Sequence, residues 1–89
     1  MLVTDKMTYF VYLIVSCLKN NKKISYVGYT NNIKKRLNLH NSGKGAKFTR
    51  GKNWKLVYYE KYDSKSDAMK AEFKLKKNYN LRNKIIKKI

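Results

Sequence analysis

Five side chains stand where the local pattern asks for apolar residues, and together their types could cleave a phosphodiester: Tyr12, Tyr26, Arg36, His40 and Glu72. On a helical wheel at about 100° per residue, the run after Ser64 puts Ala68, Met69, Ala71, Phe73 and Leu75 on an apolar face with Glu72 near its middle. Lys70, Lys74 and Lys77 point outward. A carboxylate on a buried side is costly unless paired, hydrogen-bonded or metal-bound. An ion pair with Lys76, or an arc rotated to leave Glu72 at its edge, satisfies periodicity equally well. Arg36 and His40 interrupt the inner side marked by Ile33, Leu37 and Leu39, and at i, i+4 they are neighbours on one helix face. A snorkelling arginine and a satisfied, half-buried histidine are the structural alternatives. Tyr12 and Tyr26 have equal parity; with a hairpin centred near Lys19 they lie opposite one another on one sheet face, and a shift of that centre by one residue is expected to separate them onto opposite faces.

A lone carboxylate is a poor acid–base pair but anchors one hard divalent cation, which prefers oxygen ligands and keeps several waters. Arginine answers developing negative charge, and a phenol or imidazole moves a proton, so the set points to phosphodiester hydrolysis. Phosphoryl transfer relies mostly on positioning and charge stabilisation, so a sparse site suffices. A phenol with a pKa of about 10 needs a metal-bound water beside it, or a neighbouring cation, to act as a base near neutral pH. With one histidine and no acid near it in the chain, a Ser-His-Asp arrangement is excluded.

The elements that must position these groups follow from patterning. Tyr9 to Ser16 is apolar on both parities and rich in β-branched and aromatic residues, the mark of a central strand covered on both faces. Lys19 to Lys22 is a turn, and Ile24 to Tyr29 completes a hairpin, with Gly28 marking a bulge or a close backbone approach. Thr30 or Asn31 caps a helix over about Ile33 to Asn41. A loop from Ser42 to Asn53 leads to a third strand, Trp54 to Tyr62. Ser64 or Ser66 caps a long helix to about Asn78, and Asn80 caps a short last one whose Leu81, Ile85 and Ile89 share a face. The order is β-β-α-β-α-α, so the expected fold is α+β: a three-stranded, mainly antiparallel sheet flanked by helices.

The 89 residues make one domain, with a core over about 7–77 and a basic C-terminal helix over about 80–89. Nineteen Lys and three Arg against five acids give a net charge of +17, while 43% hydrophobic and 13% aromatic content argues against a disordered basic tail. Such a field attracts polyanions, nucleic acid first. Lys44, Lys47, Arg50 and Lys52 crowd the loop, where Gly43 and Gly45 let backbone N–H groups approach phosphates. That loop is no nucleotide cradle, because no strand precedes it and no Gly-Lys-Ser/Thr closes it. Lys76, Lys77, Lys84, Lys87 and Lys88 form a second basic stripe. The longest apolar run is far short of the roughly 20 residues of a membrane span, and it lacks the flanks of a signal peptide. One cysteine excludes an internal disulfide and a cysteine-built zinc site, so a cytoplasmic or other intracellular setting is expected.

These residues resemble the signature of the GIY-YIG nuclease superfamily. Phe10-Val11-Tyr12 stands where Gly-Ile-Tyr would be, and Tyr26-Val27-Gly28 for Tyr-Ile-Gly. Arg36, His40 and Glu72 follow at the family's positions, and the likeness runs from about Met7 to Lys77. The stretches Tyr26 to Arg36 and His40 to Arg50 are similar to the small stand-alone branch, itself similar to the nuclease domain of the eukaryotic structure-specific endonuclease catalytic subunit. The resemblance implies a three-stranded antiparallel sheet with flanking helices. It implies Tyr12 as general base toward water with Tyr26 beside it, roles that members exchange, and Arg36 on the scissile phosphate. It also implies His40 assisting proton transfer, and Glu72 binding one Mg²⁺ or Mn²⁺. The first glycine of the signature is absent, and the eukaryotic relative's zinc-binding partner module has no counterpart in a chain with one cysteine. A protein partner or homodimer therefore stays open.

The expected function is a metal-dependent endonuclease on DNA that is branched, flapped or otherwise distorted. Thr30, Asn41, Lys44, Lys47, Arg50, Lys52 and Lys76 are the expected nucleic-acid contacts. The alternatives are a module that binds DNA or RNA without cutting, and an assembly subunit docking through Leu81, Ile85, Ile86 and Ile89.

Overall fold

In the computed structural model, which describes residues 8–88, three strands pair in the order β2-β1-β3. Strand β1 (Tyr9–Cys17) is central, with antiparallel partners β2 (Lys23–Thr30) and β3 (Lys55–Tyr62). Its two-sided apolarity is used as such. Val11 and Leu13 pack with Val27, Ala68 and Leu75 on one face, while Tyr12 and Ile14 pack with Trp54 on the other. Helices α2 (Lys65–Lys77) and α3 (Tyr79–Lys87) cover the first face; α1 (Ile33–Asn41) and the loop after it, with a 3₁₀ turn at Lys47–Thr49, cover the second. The order β-β-α-β-α-α and the α+β class agree with the sequence pattern, and both strand pairings are antiparallel. Among the described residues no helix is long and apolar enough to cross a membrane.

The hairpin centre differs from the expected one. Tyr12 pairs with Gly28 and Cys17 with Lys23, which puts the centre at Asn20 rather than Lys19. Moving the centre by one residue moves the pairing by two, so Tyr12 and Tyr26 keep a common face and sit diagonally; the expected separation onto opposite faces does not follow. Asn21 takes the left-handed conformation (φ 64°) that Asn tolerates, and Asn20 accepts from the Lys22 N–H at 3.1 Å.

The caps are also shifted. Asn32 rather than Thr30 or Asn31 caps α1, accepting from the Lys35 N–H at 3.0 Å. The Thr30 hydroxyl instead accepts from the Asn32 N–H at 3.1 Å and shapes the entry to the helix. Ser64 caps α2 through the Asp67 N–H, with Lys74, Lys76 and Lys77 in the last turn opposing the helix dipole. Asn78, not Asn80, caps α3: its backbone closes α2 while its side chain accepts from the Leu81 N–H. Ile85 packs on the core; Ile89 lies outside the described residues.

The inner stripe of α2 is Ala68, Ala71, Glu72 and Leu75, at i, i+3, i+4 and i+7, whereas Met69 and Phe73 are exposed. The apolar arc was therefore centred too far toward Phe73, and Glu72 belongs to the inward stripe on helical geometry alone.

Candidate active site

A pocket of about 560 Å³ opens beside the edge strand β2, and Tyr12, Tyr26, Arg36, His40 and Glu72 all line it. β1 and β2 supply the tyrosines from one sheet face, α1 supplies Arg36 and His40 one turn apart, and α2 brings Glu72 from across the sheet. Two glycines allow this convergence. A Cβ at Gly28, paired with Tyr12, would overlap the Tyr12 phenol, and one at Gly45 would stand 2.5 Å from His40 Nδ1. Glycine is required at both positions by the ring that crosses its backbone.

His40 is 1% exposed and its two nitrogens are both engaged. The Thr49 hydroxyl donates to the Ala46 carbonyl at 2.9 Å, so its oxygen accepts from His40 Nδ1–H, also at 2.9 Å. That leaves His40 Nε2 as acceptor for the Tyr12 hydroxyl at 2.8 Å. The tautomer is thus assigned by the hydrogen-bond chain Tyr12 to His40 to Thr49 to Ala46. Burial, then the Arg36 charge, lowers the His40 pKa from its ordinary 6.5 and keeps the ring neutral. Burial first, then Tyr26 and Glu72, raises the Tyr12 pKa well above its ordinary value, with Arg36 opposing. The phenol is therefore a protonated donor facing a neutral imidazole, and it can accept a proton from water as it passes its own to His40. Tyr26 meets the His40 ring edge-on at 5.1 Å.

The Arg36 guanidinium makes no hydrogen bond or ion pair to any described residue, which leaves it open to an anion in the pocket. Glu72 is 19% exposed and lies 3.6 Å from Lys76 Nζ. Among the described residues no three His, Cys, Asp or Glu side chains cluster, so no all-protein metal cage exists. One carboxylate among the hydroxyls of Tyr12, Tyr26 and Thr30 is a hard-oxygen donor set. It fits a single Mg²⁺-like ion whose remaining ligands are water and substrate oxygens.

The expected nucleic-acid contacts divide. Thr30 lines the pocket, and Lys44, Lys47 and Arg50 are exposed on the loop. Lys52 Nζ is held by the Phe48 carbonyl at 3.0 Å, and Lys76 pairs with Glu72. Asn41 fastens the loop's end: it accepts from the Trp54 N–H at 2.6 Å and donates to the Trp54 carbonyl at 3.2 Å. Asn41→Ala leaves both Trp54 backbone groups unpaired, an expected loss of about 1–3 kcal/mol. A thermal melt then shows a drop of roughly 5–20 °C for a domain of this size.

Sequence reasoning passed over Thr49 and Lys65. Thr49 is fully buried, but only the folded loop brings it to His40, and nothing in its spacing signals this. Lys65 lines the pocket one heptad before Glu72, so the wheel that singled out Glu72 places Lys65 on the same stripe.

Comparison with known proteins covers most of the chain. The family model described as the GIY-YIG catalytic domain matches residues 8–85. A UPF0213 protein of Clostridium perfringens is 45% identical over 64 residues, 71% of this chain and 69% of that protein. One from Oceanobacillus iheyensis is 48% identical over 52 residues (57% of this chain, 60% of that protein). One from Streptococcus agalactiae serotype V is 56% identical over 48 residues (53% and 54%). The matched stretch of this chain thus spans between 54% and 69% of these relatives' length. The solution NMR structure of a UPF0213 protein from Bacillus halodurans aligns with 91% of this chain and 84% of that one, at 35% identity and a TM-score of 0.48.

Proposed function

This chain belongs to the GIY-YIG family, a nuclease family whose fold binds nucleic acid, and from that premise we propose that it is a divalent-metal-dependent endonuclease acting on branched or otherwise distorted DNA. The observation that carries the reading is the convergence of Tyr12, Tyr26, Arg36, His40 and Glu72 in one pocket. A pure binding module has no need of all five.

Arg36 binds the scissile phosphate and stabilises the charge that grows on it during displacement. A water attacks phosphorus while its proton moves to the Tyr12 oxygen and the Tyr12 proton moves to His40 Nε2, along the 2.8 Å bond already present. The bond from phosphorus to the leaving sugar oxygen breaks, that oxygen takes a proton from solvent, and His40 later returns its extra proton to solvent. Thr49 keeps the His40 Nδ1 proton in place, so that Nε2 stays the accepting side. Tyr26 orients the water or the phosphate. Glu72 would hold one Mg²⁺ or Mn²⁺, which supplies Lewis-acid stabilisation of phosphate oxygens.

The basic loop supports a partner read by backbone and shape rather than by base edges. Replacing Lys44, Lys47 and Arg50 one at a time by Gln is expected to weaken binding to all duplex sequences alike. Each change lowers the slope of log K against log salt by about 0.9, measurable by anisotropy titration. The function itself is tested on a labelled panel of duplex, single strand, 5′ flap, four-way junction and RNA with Mg²⁺ or Mn²⁺. Metal-dependent cutting strongest on flap or junction supports the reading. Tight, salt-sensitive binding of DNA or RNA with no cutting of any substrate would replace it with the binding module.

A further inference from the structure

Phe48 is 51% exposed in a loop otherwise crowded with cations. The 3₁₀ turn at Lys47–Thr49 sets its direction: Thr49 turns inward to His40 and Phe48 turns outward. Its ring is the outer member of an aromatic row that starts at the pocket. Tyr26 meets His40 edge-on, and Phe48 stacks on Tyr26 with centroids 6.2 Å apart and planes 21° apart. Trp54, at 6.1 Å, supports the Phe48 ring from the core. The ring thus sits beside the pocket-lining Tyr26. Lys52 Nζ lies over it at 5.4 Å from its centroid, a cation that an incoming base would displace, and the exposed Lys44, Lys47 and Arg50 share its loop. An apolar ring in a cationic setting suits a ligand that is a flat π-system on an anionic chain. Aromatic stacking of an unpaired base tolerates any sequence, because every base has a π-face, and it is paid back only where the base has left its own helical stack.

We infer that Phe48 is the stacking platform for one unpaired nucleobase next to the phosphate held by Arg36, and that it makes the site prefer distorted over fully paired DNA. The inference rests on the reading of the pocket as a nucleic-acid site and adds to it the feature of the substrate that is recognised. Phe48 is a specificity residue in this account, with no part in moving the proton.

The test uses the full chain in chelator, so that no cutting is needed. Affinities are measured by anisotropy for three labelled duplexes: fully paired, with one bulged thymidine, and with a bulged abasic residue at the same place. Wild type is expected to bind the bulged base more tightly than the abasic bulge by on the order of 5- to 100-fold. Phe48→Leu, which keeps apolar bulk without a π-face, should bring that ratio to about one and leave the fully paired affinity unchanged. Phe48→Tyr should retain it. No base-over-abasic preference in wild type, or its survival in Phe48→Leu, would overturn the inference and make Phe48 a cover for Tyr26 and Trp54. Failure to bind even the paired duplex would overturn the nucleic-acid reading and this inference together. Absence of cutting with metal, alongside an intact base preference in chelator, would count against hydrolysis and leave Phe48 in its role.

Discussion

Tyr12→Phe and His40→Gln should each reduce single-turnover cleavage by about 10²- to 10⁴-fold, the usual range for a lost proton-transfer group, and the double variant should be little worse than either alone. The reason is the shared 2.8 Å bond between the Tyr12 hydroxyl and His40 Nε2. With either end removed, the water's proton has no path, and groups that act as one unit lose their effects non-additively. The pH dependence has a definite sign. Only neutral His40 can receive the Tyr12 proton, and burial with Arg36 lowers its pKa below the ordinary 6.5. The rate should therefore rise with pH through a value under 6.5 and be level near neutrality. The same shift makes stability complete above about pH 6.5 and diminishing as pH falls from there, because the unfolded chain takes up the proton first. Thr49→Val removes the acceptor for Nδ1–H without touching the pocket, and it should move the rate profile rather than abolish binding. A full sum of the two single losses in the double variant would contradict the relay.

Glu72→Gln should cost on the order of 10³-fold or more in cleavage, the several kcal/mol that a Lewis-acidic ion contributes, while DNA affinity stays within a few-fold. The glutamine is isosteric but has no charge with which to hold a divalent cation, and among the described residues Glu72 is the only carboxylate lining the pocket. Lys76, its 3.6 Å neighbour, is half exposed and belongs to the solvent side of α2. Lys76→Ala should therefore leave cleavage nearly intact and lower the metal concentration needed for half-maximal rate, since a competing cation has been taken from the carboxylate. Equal damage from Lys76→Ala and Glu72→Gln would instead mark the pair as structural.

How much of this was legible in the sequence depended on what kind of signal each residue carries. β1 could be read because a run apolar on both parities has one stable use, the middle of a covered sheet. Glu72 could be read because an acid within an apolar stripe breaks a strong periodic rule. The caps could not. Thr30, Asn31 and Asn32 are all competent, and the choice falls to Asn32, whose extended backbone (φ −150°, ψ 97°) aims its side chain at the Lys35 N–H. Asn78 prevails over Asn80 for a similar reason, serving two helices at once. Their apolarity draws Met69 and Phe73 inward on the wheel, yet Ala68, Ala71 and Leu75 are the α2 residues packed in the core. Thr49, which orients the histidine, had no sequence signal, because its partner is reached only once the loop has closed over Trp54.

The central claim, a metal-dependent phosphodiesterase built on this one pocket, is tested most directly by single-turnover cleavage of a labelled 5′-flap DNA during a Mg²⁺ titration from chelator upward, with wild type and Glu72→Gln side by side. The account predicts saturable, metal-dependent cutting by wild type, none in chelator, and at least a thousandfold slower cutting by the variant despite equal DNA binding. Equal cutting by the two proteins, or cutting that persists in chelator, would contradict it.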